Sequence, residues 1–299
     1  MRARSISASR SGADLPPPRA ARSASRRTRL RRRWRALRRG WRRWRRRARP
    51  VWRALRAAPP LLQVLASVAT ILLIFAALNV AYHVIRKPTE MFFPVAGALN
   101  KLPAETWRQY GPLFRANATA AITPELLAAL AQVEAAGNPV ARTYWRWRFS
   151  WNPFAIYQPA SSAVGMYQMT DGAFAEARRY CIHDHRVVED GPWHDWRSCW
   201  FNALYTRIVP SHAVELTAVS LDRNVADILQ RRGLAAATPQ QTQDLAALIH
   251  LCGAGAAGAF ARRGFRLAPS QRCGDHEAAA YLAQVNAMKR LFARLAAAE

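Results

Sequence analysis

An all-α domain carried outward on a single membrane-spanning helix is the architecture this sequence predicts, and three observations predict it. One apolar run, Leu61–Val84, is interrupted only by Gln63, Asn79, His83 and small hydroxyl residues. Arginine is heaped on the N-terminal side of that run. Beyond it the apolar residues recur mostly at helical spacing, with few alternating β-branched stretches. The chain has 299 residues and a formal charge of +27, but residues 1–56 alone hold 22 arginines against one acid, Asp14. From residue 57 onward 23 basic side chains face 17 acidic ones. A protein uniformly basic enough to coat nucleic acid is excluded by that asymmetry. Disorder throughout is excluded by an apolar content of 51%.

Residues 1–57 form the basic tail. Its first half is rich in Ser, Arg, Pro and Ala and reads as disordered. From Leu30 the residues Leu30, Trp34, Leu37, Trp41 and Trp44 fall at steps of four and three, with arginine nearly everywhere else. That pattern is one apolar stripe on a cationic helix. It suits the inner-leaflet interface, with Trp among headgroups and Arg on anionic lipid. Arginine tracts also bind nucleic-acid phosphate without sequence preference, and the same charge also serves simply to fix topology. No specific nucleic acid is expected.

Residues 58–86 form the span. About 20 apolar residues cross the hydrocarbon core at 1.5 Å each, and no formal charge lies between Arg56 and Arg86. Arginine before the run, against only Arg86 and Lys87 just after it, places the N-terminus in the cytoplasm and the rest outside. A cleaved signal peptide fits less well, because no small-x-small cleavage pattern follows the run. An uncleaved signal anchor is expected. Residues 87–103, with Pro88, Pro94 and Pro103, read as a linker.

The cysteines, Cys181, Cys199, Cys252 and Cys273, all follow the span. Their order suggests two local disulfides, Cys181–Cys199 and Cys252–Cys273, in an oxidising compartment. His183, His185 and His194 between the first pair leave a zinc site conceivable, but no Cys-x-x-Cys or His-x-x-x-His spacing supports one. No metal site is expected. Helices are expected over Ala104–Asn117, Pro124–Ala136, Asp171–Tyr180, Trp196–Val209, Ser211–Ser220, Val225–Arg232, Thr238–Leu251, Ala256–Arg263 and His276–Ala298. Together they make one domain over residues 104–299.

The helix Pro124–Ala136 carries the most chemistry. Thr123 is a good N-cap, Pro124 fits the first helical position, and Gly137 with Pro139 ends the helix. Leu127, Leu130 and Glu134 share one face, so a carboxyl group lies at the poorly solvated, negative end of the helix dipole. Both circumstances oppose ionisation, as a general acid requires. On this helix alone, Glu134 also reads as a side chain reaching out to solvent.

Three stretches tie that helix to a family. Ile122–Pro139, ITPELLAALAQVEAAGNP, is followed by Ser161–Thr170, SSAVGMYQMT, and later by Glu277 with Tyr281 four positions on. In this order they resemble the soluble lytic transglycosylase (SLT) domain, a lysozyme-like fold, over about residues 104–299. The resemblance implies that Glu134 is the catalytic acid and that Asn138 and Pro139 are the pair following it. It implies that Gly165–Thr170, with Met166, Tyr167 and Gln168, is the second, substrate-binding motif, and that Tyr281 points toward the acid. The chain departs from the family at Ala135, where Ser is usual, and at Leu251–Gly255, where the family's Tyr and Asn are missing. An unusually long insertion before Gly165 holds Tyr144, Trp145, Trp147, Phe149 and Trp151, interleaved with Arg142, Arg146 and Arg148. Trp145 and Trp147 there suit either a glycan-groove wall or a locally packed aromatic flap.

The activity implied is cleavage of the β-1,4 bond of peptidoglycan, with glycan strands as partner, no cofactor, and a bacterial inner-membrane protein whose catalytic domain lies in the periplasm. Glu134 protonates the leaving oxygen and then acts as base. The substrate's own acetamido group stands in for a second carboxylate, and the C6 hydroxyl closes a 1,6-anhydro ring. Asp171 and Asp195 are conceivable second carboxylates, but surface or capping roles suit them better. Two alternatives stay open: a lysozyme-type hydrolase on the same scaffold, and a weakly catalytic glycan-binding component of a secretion or conjugation apparatus.

Overall fold

The structure, a computed structural model, describes residues 49–50, 53–92, 95–189, 194, 199–234 and 237–299. The Arg/Trp stripe from Leu30 to Trp44 lies outside these residues, as does Asp195. The chain divides into two units, Met1–Ala76 and Ala77–Glu299. The fold is mostly helical.

Helix α1, Pro60–Arg86, coincides with the apolar run and is long and apolar enough to cross a membrane. Leu61, Val64, Leu65, Ile71, Leu72 and Leu73 are all exposed along it, which for an uncharged helix fits a lipid environment. A second helix, α6 (Pro239–Arg262), is also long and apolar, but half of its most apolar stretch is buried inside the protein.

In the second unit, α2 (Pro103–Ala116), α3 (Pro124–Ala135), α5 (Pro210–Arg232), α6 and α7 (Ala278–Ala297) enclose the core. Six consecutive residues of α3, Leu126–Ala131, are buried, so that helix is apolar all round. Alanine at 128, 129 and 131 lets α2 and α7 approach closely, while Leu127 and Leu130 each contribute about 2 kcal/mol of transfer energy. Thr123 caps α3 by accepting from the Leu126 amide at 3.3 Å. Ala136 and Gly137 then turn left-handed, and a Cβ on Gly137 would collide with Thr106 of α2.

Several expectations need correction. The regions 211–220 and 225–232 are one helix, α5, because Leu221–Asn224 contain nothing that interrupts it. The stretch expected as Trp196–Val209 is a 3-10 turn over Cys199–Leu204 where described. The helix expected to reach Tyr180 stops at Ala177 (α4, Asp171–Ala177), since Tyr180–His183 (β3) pairs antiparallel with Arg186–Glu189 (β4). Two further hairpins pair Trp145–Trp147 (β1) with Tyr157–Pro159 (β2), and Arg272–Cys273 (β5) with His276–Glu277 (β6). The last hairpin takes the first residues of the expected helix from His276. Helix α6 is continuous but for a kink at Gly253, with φ of 77°, between the two helices expected there.

Residues 87–103 do not hang as a linker. They form 3-10 turns over Pro88–Phe92 and Ala96–Leu99, with Thr89, Glu90 and Ala96 buried. Asn138, itself buried, holds this segment by donating to the Ala96 carbonyl and to Asn100 Oδ1 at 2.8 Å. Both disulfides, Cys181–Cys199 and Cys252–Cys273, are formed, leaving none of the four sulfurs as a thiolate for zinc. The first ties the β3–β4 hairpin to the following turn. The second ties α6, at its kink, to the hairpin that leads into α7.

Candidate active site

Glu134 sits in the last turn of α3, with a side chain about one-fifth exposed. Tyr281, one turn into α7 and 147 positions away, donates its hydroxyl to Glu134 Oε1 at 2.5 Å. His250 of α6 brings Nε2 to 3.6 Å from the same oxygen. Three helices therefore converge on one carboxylate oxygen, while Oε2 takes neither contact. No hydrogen bond or ion pair joins Glu134 to a second carboxylate among the described residues. Burial, then the nearby Glu134 charge and hydrogen bond, hold the Tyr281 phenol well above its ordinary range. It is therefore a neutral donor at any working pH.

The disulfide Cys252–Cys273 buttresses this arrangement from outside. Cys252 lies two residues beyond His250, and Cys273 pairs in its hairpin with His276, whose ring stands edge-on to Tyr281 at 6.5 Å. One covalent link thus joins α6, which carries His250, to the hairpin that leads into α7, which carries Tyr281.

The second motif is folded into a tight turn beside the end of α3. Gly165 donates its amide to the Ala141 carbonyl at 2.9 Å, and Val164 bridges both Arg142 and Met169. Gly165 is required there, because its φ is 82° and a Cβ would run into the Arg207 carbonyl. Gln168, also left-handed at 46°, donates its side-chain amide back to the Gly165 carbonyl at 2.9 Å. Met166 and Tyr167 are buried in the core, so they support the floor and present no side-chain surface to a ligand in this structure. The Tyr167 hydroxyl is buried without a hydrogen-bond partner, and its ring meets His250 edge-on at 6.4 Å. Burial pushes its phenol well above the ordinary range.

Trp145 and Trp147 stand apart from this group. Trp145 donates its indole N–H to Glu90 at 2.7 Å and packs on Tyr157, as does the largely exposed Trp147. Tyr144, just before them, reaches Asp275 in the β5–β6 turn at 3.4 Å. Asp171 is an exposed partner of Arg207 at 2.7 Å, in the first turn of α4.

Sequence reasoning missed three residues. His250 was placed on a helix without a role, although a histidine amid Leu248, Ile249 and Leu251 was the available signal. Arg207 organises the second motif, donating to the Ser162 and Met169 carbonyls at 3.0 and 2.8 Å as well as to Asp171. Nothing local in the sequence marks it. Glu90 lies within the supposed linker beside a cavity of about 330 Å³ lined by Val80, Arg142, Tyr144, Trp145 and Tyr157. Lys87 and Arg142 already pair with the Glu90 carboxylate. No protein-family model and no curated protein matches the chain.

Proposed function

We propose that this is a single-pass bacterial inner-membrane protein, N-terminus in the cytoplasm, whose periplasmic domain has a lysozyme-like fold and acts as a peptidoglycan lytic transglycosylase. The observation that carries the reading is the Glu134–Tyr281 hydrogen bond. It joins two motif residues far apart in sequence on a partly exposed carboxyl group at a helix end. The apolar α1, the arginine asymmetry and the two disulfides support the location.

In this reading Oε1 is held by Tyr281, and the Oε2 proton is the one delivered to the glycosidic oxygen as the C1–O bond breaks. The substrate's acetamido carbonyl attacks C1 and relieves the positive charge. The Glu134 carboxylate then takes the proton of the C6 hydroxyl, whose oxygen closes on C1 and expels the acetamido oxygen. The proton returns to Glu134, and no water is consumed. Tyr281, neutral throughout, keeps the carboxyl oriented through both proton transfers. The Gly165–Thr170 turn, pinned by Arg207, would place Gln168 near the glycan.

Glu134→Gln keeps the size of the group and removes its transferable proton. Release of soluble muropeptides from sacculi is expected to fall by ~10² or more, with sacculus binding retained. Cleavage near the wild-type rate would remove Glu134 from the chemistry. Mass analysis of the wild-type products separates anhydro ends from the reducing ends of a hydrolase, and from the absence of cleavage that a binding component would show.

A further inference from the structure

We propose that the tip of the β1–β2 hairpin, Arg146–Trp151, is a second membrane anchor that docks in the outer headgroup layer of the bilayer crossed by α1; this rests on the membrane-spanning reading above. The hairpin is bolted to the end of that helix. Phe154 stacks on Tyr82 with ring centroids 4.5 Å apart, and its carbonyl lies 2.9 Å from His83 Nε2. Trp145 meets the His83 ring edge-on at 5.1 Å. Just past the helix, Glu90 accepts from the Trp145 indole and pairs with Arg142 and Lys87, while Lys87 also donates to the Ser161 carbonyl at 3.2 Å. His83 is buried under these contacts, and Asn79, one turn earlier on the same helix, is buried as well.

Their position along the chain sets the level of the hairpin. The stretch Leu61–Val80 rises about 30 Å, the thickness of the hydrocarbon core. The remaining residues to Arg86 rise about 9 Å more, which spans a headgroup layer of about 5–8 Å. The residues that hold the hairpin, Tyr82 and His83, therefore fall in the sequence just past the apolar stretch, where Trp and Arg are most favourable.

The tip has the composition that depth selects. Trp147, Phe149 and Trp151 are 74, 95 and 96% exposed, and the exposed Arg146 and Arg148 alternate with them. Phe149 and Trp151 touch one another edge-on at 6.4 Å. Three large aromatic rings left in water on one short loop are an unusual expense for a soluble surface. A headgroup layer covers the rings and offers phosphates to the guanidinium groups. Among the described residues, the hydrogen bonds and ring contacts of this tip lead to the hairpin and the helix end, and none leads to Glu134, Tyr281 or His250, which argues for lipid over a glycan strand.

The test uses the full-length protein in nanodiscs of phosphatidylethanolamine and phosphatidylglycerol. Single cysteines introduced as Phe149→Cys, Trp151→Cys and, within the span, Leu72→Cys carry a nitroxide, and immersion depth is read from its accessibility to oxygen against a water-soluble nickel complex. All three positions are exposed enough that the substitutions leave the fold intact. The expected result is shallow immersion, about 5–10 Å, at 149 and 151, and deep immersion at 72. Aqueous behaviour at 149 and 151 with position 72 deep overturns the anchor and leaves the span standing. Aqueous behaviour at 72 overturns the span and the anchor together. Labels that stay aqueous in lipid but are shielded on adding soluble glycan strands overturn the anchor in favour of a sugar-binding wall.

Discussion

Glu90 and Glu134 are both glutamates drawn out of water, and their surroundings differ in kind. The Glu90 side chain is 2% exposed, with Lys87 at 3.2 Å on one oxygen, and Arg142 at 3.2 Å and the Trp145 indole at 2.7 Å on the other. Glu134 is 19% exposed, and its contacts are a neutral phenol and an imidazole, both on one oxygen. Glu90 has its charge balanced by two cations: Oε2 accepts from Arg142 and Trp145, while Oε1 faces Lys87 without forming a hydrogen bond. Glu134 has no Lys or Arg contact among the described residues, and its Oε2 takes neither of the contacts that Oε1 holds. What separates the two carboxyl groups is the company they keep: cations at Glu90, and only neutral or titratable rings at Glu134.

The largest effect expected from this contrast is on stability. Glu90→Ala leaves Lys87 and Arg142 largely desolvated without their counter-charge, and burial already lowers the Lys87 pKa against the pull of Glu90. Removing one partner of such a cluster costs about 3 kcal/mol, which for a domain of this size lowers Tm by about 6–12 °C. Thermal unfolding of the full chain in detergent measures it. Glu134→Gln is expected to leave Tm unchanged or slightly raised. If the two variants exchanged these outcomes, the assignment of structural and chemical glutamates would be reversed.

The sequence made one of these glutamates legible and hid the other. Helical spacing, the Thr123 cap and the Gly137 stop are local signals, and they placed α3 and Glu134 within a residue. Tyr281 was legible only through motif resemblance, because nothing local tells a tyrosine which side chain it faces across the core. Glu90 was invisible: Lys87 is near in sequence, but Arg142 and Trp145 lie 52 and 55 positions away, and a short stretch with three prolines reads as linker. The hairpins were missed for a related reason. Trp145–Trp151 alternates aromatic and polar residues, a period-2 signal, but the composition drew attention to the rings and away from the spacing. Cysteine order sufficed for both disulfides because each closes a short local loop.

A smaller effect sharpens the Glu134 half of the comparison. Tyr281→Phe keeps the buried ring and deletes the donor, so packing should be kept and Tm should fall by only about 3–6 °C. The bond strengthens as Glu134 gives up its proton and becomes a charged acceptor, and losing that gain is of the order of 1.5 kcal/mol, or about tenfold in rate. The loss should fall on kcat and leave KM close to wild type, because the hydroxyl orients the carboxyl group and does not reach for the sugar. A rise in KM with kcat unchanged would move Tyr281 from positioning the acid to binding the substrate.

The smallest signal concerns protonation alone. Burial is the first cause of the raised pKa of Tyr110, Tyr167, Tyr205 and Tyr281, with Glu215 adding to it at Tyr205 and Glu134 at Tyr281. In the unfolded chain each ionises near pH 10. Because the folded values lie above that, the stability these groups lend is complete below pH 10 and is lost as pH rises toward the folded values. Phenolate absorbance of the folded protein just above pH 10 should therefore be the same in wild type and in Tyr281→Phe, since Tyr281 has not ionised in either case. After alkaline unfolding the two spectra should differ by one phenolate. A difference of one phenolate already present while the protein is folded would show Tyr281 open to water and not bonded to Glu134, and the Glu134 carboxyl group would have lost the donor that orients it.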